Sequence, residues 1–283
     1  METFVLVKKF LSTAFNGNYS LTPVIEKLLL SSSETECALG RALQKTVTHS
    51  FTQDELYSIE AIEQYRNSLL NDTTKIEMLD YGAYRRNGEA VRKELAVRTI
   101  CRTSASPKKM CLLLFSLIRE MKPAVCMEMG TNLGVSGSYL AAAAKLNGSG
   151  FVYSLEGSPS LAEIASTHFY QIGLSNIKVF KGQFAETIPN IVASSPPISF
   201  VYIDGHHEEF ATLRYYEMLK PHLSENALLV FDDICWSKGM ERAWNTIRTS
   251  SPVILSVDLF TMGLCFTDPV STEKKTYNAL WVR

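Results

Sequence analysis

Two segments of the chain close an apolar run on acids. FVYIDGHHEEF (200–210) ends its run at Asp204 and continues through His206 and His207, and LLVFDDICWSKG (228–239) ends at Asp232 and Asp233. If the two runs are neighbouring strands, about 4.8 Å apart, the carboxylates of Asp204, Asp232 and Asp233 share one edge. Clustered carboxylates repel unless something neutralises them. Mg²⁺ (or another divalent cation) suits such a set, because it prefers oxygen ligands and keeps several waters. It would hold a substrate hydroxyl and lower its pKa. The plainer alternative is that these aspartates cap the following helices or line a pocket without metal. His207, three residues after Asp204, is the candidate general base, since an imidazole of ordinary pKa about 6.5 accepts a hydroxyl proton near neutral pH. Its alternative is a solvated histidine in a first helical turn, and His206 is a second candidate.

A third stretch, CMEMGTNLGVSGSYLAAAAKL (126–146), carries binding rather than bond-making chemistry. An apolar run ends near Glu128. Gly130 then allows a tight turn and close approach of a ligand, Thr131 lies in the turn, and a helix begins near Gly134. The free N–H groups at that helix start favour an anion such as a carboxylate. Glu156 closes the next run in LEGSP and is placed to accept hydrogen bonds from two ribose hydroxyls. The ligand reads as a nucleoside with a small anionic or zwitterionic arm. A dinucleotide would call for G-x-G-x-x-G, whereas E-M-G-T-N-L-G has one glycine too few for a pyrophosphate. S-adenosylmethionine fits better, having a carboxylate and an amine but no phosphate.

These residues need a frame. Short apolar runs at 124–129, 150–156, 177–182, 198–204 and 227–233 read as strands. Between and after them lie helical segments at 134–146, 159–173, 184–193, 207–220 and 238–249. Such alternation implies a doubly wound α/β fold with a mostly parallel sheet, seven-stranded once a terminal hairpin is added. The tail segments 253–260, 263–268 and 277–283 have short links and no helix, which implies an antiparallel carboxy-terminal hairpin. Pro107 opens a helix that Ser106 is expected to cap, and Ser158 stands likewise before Pro159, with Ser160 in the first turn. Residues 1–105 read as a helical region, from the spacing in VIEKLLL (24–30) and LYSIEAIEQYRNSLL (56–70), with no strand-like alternation. The division expected is 1–105, a helical region or lid, and 106–283, a cofactor-binding domain.

Residues from about 103 to 268 resemble a class I S-adenosylmethionine-dependent methyltransferase. The E-x-G-x-x-x-G turn, the acidic LEG end of the second strand, and five β/α units followed by a hairpin carry the resemblance. Within that superfamily the chain is similar to small-molecule O-methyltransferases of the catechol and caffeoyl-CoA type. It is also similar to bacterial sugar and macrolide O-methyltransferases with an Asp-Gly-x-His motif. The resemblance implies a Rossmann-like methyltransferase fold, metal ligands at Asp204, Asp232 and Asp233, a base at His207 and adenine near Gln183. Asp233 departs from the asparagine usual there, keeping an oxygen ligand but adding negative charge. Trp236 matches a tryptophan near the site in those enzymes. The segment SASPKK borders the transferred methyl group, so Thr103, Ser104 and Ser106 are expected pocket walls.

The remaining features bound the function. Net charge is −1 over 283 residues, which gives no electrostatic pull toward nucleic acid or an anionic membrane. No apolar stretch is long enough to span a bilayer, and METFVLVKKFLSTAF has no signal-peptide pattern. The six cysteines form no CxxC pair, fitting free thiols in a reducing cytoplasm. Arg85, Arg86, Arg92, Lys93, Arg98 and Arg102 cluster in 80–106, either as a solvated face or as cations for an acidic or carrier-bound acceptor. Tyr81 and Tyr84 are candidates to stack on an aromatic acceptor, and Phe260 and Met262 to form another wall. A homodimer through the helical region is a further expectation. The reading is transfer of a methyl group to a hydroxyl of a small molecule. Its rivals are a metal-independent N- or C-methyltransferase, a nucleotide-dependent oxidoreductase and a non-catalytic interaction protein.

Overall fold

The structure, a computed structural model, describes residues 20–81, 90–271 and 273–281. The expected strand–helix alternation forms as a large sheet with helices on both faces. Strands β3 (Val125–Met129), β4 (Phe151–Glu156), β5 (Ile177–Lys181), β6 (Ile198–Ile203) and β7 (Leu223–Phe231) are its parallel part. The linking helices are α6 (Val135–Leu146), α7 (Pro159–Gln171), α8 (Phe184–Val192) and α9 (Glu209–Leu219), and α10 (Lys238–Thr249) follows β7. β3 is buried along its whole length, as a strand covered on both faces must be.

β3 lies between β4 and β6, so the chain winds outward from it in both directions. That switch in strand order opens a crevice at the carboxyl ends, where ligands of open α/β sheets bind. Beyond β7, strands β8 (Val253–Phe260) and β9 (Gly263–Thr267) form the antiparallel hairpin. One strand exceeds the expected seven. β10 (Lys275–Trp281) extends the sheet to eight, and it runs parallel to β8, not antiparallel. Residues 268–274 are long enough to return the chain to the starting end of β8, which the short link in the sequence did not suggest.

The amino-terminal region contains α1 (Leu21–Leu29), α2 (Glu34–Thr48), α3 (Gln53–Asn71) and α4 (Val97–Ser104), and α5 (Lys108–Met121) leads into the sheet. The purely helical expectation fails at residues 75–80 and 91–96. There β1 (Lys75–Asp80) and β2 (Val91–Ala96) form a two-stranded antiparallel hairpin. Its signal was faint because half of its side chains are charged. Ile76 and Met78 alternate inward, while Arg92 pairs with Glu77 across the strands at 2.9 Å and Lys93 pairs with Asp80. The amino-terminal helices pack against the sheet. Leu28, Leu39 and Ile62 belong to one continuous apolar cluster with Phe115, Tyr139 and Phe200. A second cluster, including Ile188, Tyr216 and Trp244, packs the opposite face.

Candidate active site

The loops at the carboxyl ends of β6, β3 and β4, together with the end of β1 and the α4–α5 link, enclose a cavity of about 540 Å³. The bend after β3 is its floor. Gly130 has φ 112°, and a Cβ there would stand 2.1 Å from the carbonyl oxygen of Asp204. Glycine is therefore required by the neighbouring strand end as much as by any ligand. The Gly130 and Thr131 N–H groups both donate to Leu155 O, at 3.0 and 3.1 Å, which ties the bend to β4. Asn132, at φ 50°, turns the chain into α6, a conformation asparagine tolerates well.

Glu156 lines the cavity and accepts two backbone hydrogen bonds, from Asn132 N and Ser158 N, both at 2.8 Å. Burial holds its pKa above the usual carboxylate range, and backbone N–H groups offset only part of the rise. Asn132 Nδ2 donates to Ser104 O at 2.9 Å, but its Oδ1 is buried with no partner among the described residues. A buried, unpaired acceptor beside Glu156 suits a ligand bearing a donor such as an ammonium. Gln183 caps α8 without a side-chain bond and faces the same cavity.

At the other end stands the acid-and-histidine edge. Tyr202, buried in β6, extends its hydroxyl to Asp204 Oδ2 (3.0 Å) and Asp232 Oδ2 (3.3 Å). The Ser106 hydroxyl donates to Asp204 Oδ2 at 2.9 Å. Burial first, and then repulsion from Asp232, push the Asp204 carboxyl up to about 7, against the pull of His207. The His207 ring lies between two carboxylates, with Nε2 3.7 Å from Asp204 Oδ1 and Nδ1 3.7 Å from Asp233 Oδ2. His206 is committed elsewhere, since its Nδ1 bonds the Tyr215 hydroxyl at 2.9 Å.

The expected metal set does not fit as it stands. Asp232 Oδ1 accepts from Asp233 N at 2.8 Å, its Oδ2 faces Tyr202, and the imidazole of His207 separates Asp204 from Asp233. Among the described residues no group of three or more His, Cys, Asp or Glu side chains is arranged to hold a metal ion.

Of the other expected residues, Ser106, Thr103, Ser104, Thr131 and Trp236 line the cavity, and so does Tyr81. Glu128 and Gly134 do not. Glu128 is sealed beneath the first turn of α6, where Ser136 donates to it at 2.5 Å and Ser154 also donates, and burial pushes its carboxyl up to about 8. A Cβ on Gly134 would meet Ala165 and Phe169 of α7, so that glycine serves packing. Phe260 and Met262 are buried in the core rather than in the cavity wall. Ser158 holds the N-cap position of α7 without a side-chain capping bond, and Ser106 lies one residue before Pro107, the N-cap of α5. Ser106 turns to Asp204, and the Ser158 hydroxyl accepts from Leu79 N at 3.1 Å. Arg92 and Lys93 are engaged within the hairpin, Arg98 is exposed, and Arg102 alone of the four described cations reaches the cavity. Tyr84, Arg85, Arg86 and the amino-terminal segment lie outside the described residues. Asn132 and Tyr202 were missed. Asn132 was detectable from its place between Gly130 and Gly134, but nothing in the sequence marks Tyr202.

Residues 127–234 match the family model of a methyltransferase domain. That stretch is similar to methyltransferase domains. Solved structures share the chain's fold, among them two O-methyltransferases. An O-methyltransferase from Bacillus cereus, in complex with SAH, is 16% identical with TM-score 0.53, over 75% of this chain and 91% of that one. The O-methyltransferase TomG from Streptomyces achromogenes, involved in tomaymycin synthesis and solved with SAM, is 19% identical with TM-score 0.50, over 58% of this chain and 82% of that one. No curated protein matches the chain. The methyltransferase match begins within β3 and ends just past the Asp232–Asp233 pair, so it spans the bend after β3 and the acid edge but not the amino-terminal helices.

Proposed function

We propose that the protein moves a methyl group from S-adenosylmethionine to a hydroxyl of a small molecule, with His207 as the base. One observation carries the reading. A single cavity holds a carboxylate shaped for a ribose, Glu156, at one end and a histidine set between carboxylates at the other. When bound, S-adenosylmethionine supplies an electrophilic methyl group on a sulfonium. The start of α6 receives its carboxylate, Asn132 Oδ1 accepts from its ammonium, Glu156 takes the ribose hydroxyls and Gln183 meets the adenine edge. His207 takes the hydroxyl proton as the acceptor oxygen attacks. Asp204 and Asp233 stabilise the imidazolium that results. The site's main contribution is alignment of oxygen, methyl and sulfur.

Calorimetry with S-adenosylhomocysteine and a labelled-methyl screen of hydroxylated small molecules test this. Glu156→Ala should weaken donor-site affinity about ten- to a hundred-fold, the loss expected for hydrogen bonds to a charged group. His207→Ala should keep that affinity and lower kcat by roughly 10²–10⁴. A wild-type chain that binds no S-adenosylhomocysteine, or a His207→Ala variant of undiminished rate, would sink the proposal. Metal assistance is left out because the donors engage one another. Turnover should therefore survive EDTA, and a rate lost to EDTA and restored by Mg²⁺ would replace the histidine base with a metal-held hydroxyl. Five buried cysteines that form no disulfide among the described residues suit a reducing cytoplasm.

A further inference from the structure

We propose that Tyr81, immediately after β1, is the aromatic wall on which the purine of the methyl donor stacks, so that the amino-terminal hairpin completes the nucleoside site. This rests on the reading that the cavity takes S-adenosylmethionine.

Across the site the strand ends follow one another in the order β7, β6, β3, β4, β5. The amino-acid arm belongs at the bend after β3 and the ribose at Glu156, which closes β4. The base leaves the ribose on the side away from the arm, which directs it past Glu156 toward β5. The cavity is bounded there by Gly157, Gln183, Phe184 and Tyr81. The acid-and-histidine edge lies the other way. Asp232 and Trp236 follow β7, three strand spacings or about 14 Å from the end of β4. Tyr81 therefore stands at the nucleoside end, not beside the acceptor.

The tyrosine is held in place. A Cβ on Gly157 would stand 2.7 Å from its Cδ2 and Cε2, so the ring rests on the Gly157 backbone and only glycine leaves room for it. Gly157 lacks the left-handed φ that would explain it as a turn residue. The next residues bind the strand just before the ring. Leu79 N donates to Ser158 Oγ at 3.1 Å, and Ser160 Oγ donates to Glu77 O at 2.6 Å. Tyr81 is half-buried and faces the cavity, leaving ring surface for a partner. A purine offers a flat π face, which an aromatic ring binds by stacking.

The test is calorimetric binding of S-adenosylhomocysteine and of adenosine to the full chain and to Tyr81→Ala, Tyr81→Phe and Gly157→Ala. Tyr81→Ala should bind both ligands about ten- to a hundred-fold more weakly, by the same factor, and Tyr81→Phe within about threefold of wild type. Gly157→Ala, which displaces the ring without removing it, should weaken both ligands too, and it stands in should Tyr81→Ala fail to fold. If wild type binds and Tyr81→Ala binds equally well, Tyr81 is no purine wall while the methyl-donor reading stands. If wild type binds neither ligand, both fall.

Discussion

A single buried carboxyl gives the protein a pH signature separate from catalysis. Glu128 is fully buried and titrates near 8, with Ser136 and Ser154 as its partners. Its folded pKa lies above the unfolded value of about 4.3, so the folded state holds a proton that the unfolded chain has released. The stabilisation is complete below the unfolded pKa, declines as pH rises, and is gone above about 8. Glu128→Gln keeps the shape and removes the ionisation. The variant should gain in melting temperature relative to wild type as pH is raised from about 5 to 8, and a pH-independent difference would contradict this. The sequence placed Glu128 at a strand end but could not show its direction. Gly137 decides that, because a Cβ there would stand 2.7 Å from Glu128 Oε2. The S-G-S run opening α6 makes a niche for the carboxyl, turning it away from the cavity. Glu156, by contrast, was legible, because a strand-end acid before Gly157 has its own following N–H groups to meet.

At the scale of elements, α3 reaches the site without lining it. Arg66 donates through Nε to Glu63 (2.9 Å) and through Nη1 to Ser106 O (2.8 Å), and the Ser106 hydroxyl in turn donates to Asp204. Glu63 also accepts from the Tyr139 hydroxyl at 2.8 Å, so the pair joins α3 to α6 as well as to the α4–α5 link. Arg66→Ala leaves Glu63 with little exposure and without its cation. It should destabilise the protein by roughly 3–5 kcal/mol in urea unfolding, and a loss under about 1 kcal/mol would show that the pair carries no net stability. The parallel strands were readable from the sequence because burial on both faces leaves unbroken apolar runs. The β1–β2 hairpin was not, since cross-strand pairs between Arg92 and Glu77 and between Lys93 and Asp80 fill it with charges that resemble a solvated helix face.

Over the whole molecule, the boundary suggested near residue 105 divides the sequence more sharply than it divides the core. Leu39 of α2, fully buried, shares one apolar cluster with Phe115 of α5 and Tyr139 of α6. Leu39→Ala should cost about 2–5 kcal/mol and lower a single melting transition, because helices and sheet lose one common core. Two separate transitions would establish that the amino-terminal helices fold by themselves. The change of rhythm at residue 107 marks where strands begin, and periodicity carries no record of which surfaces later meet.

The contact between Gly130 and the Asp204 carbonyl reaches beyond the reaction. On the proposed reading, the side chains of Glu156 and His207 answer to chemistry and would be free to drift in a descendant that had lost its activity. Gly130 answers to the strand beside it. A lineage that abandoned methyl transfer and kept this architecture would still carry glycine at that place, so its retention there records ancestry of shape and says nothing about whether the enzyme still works.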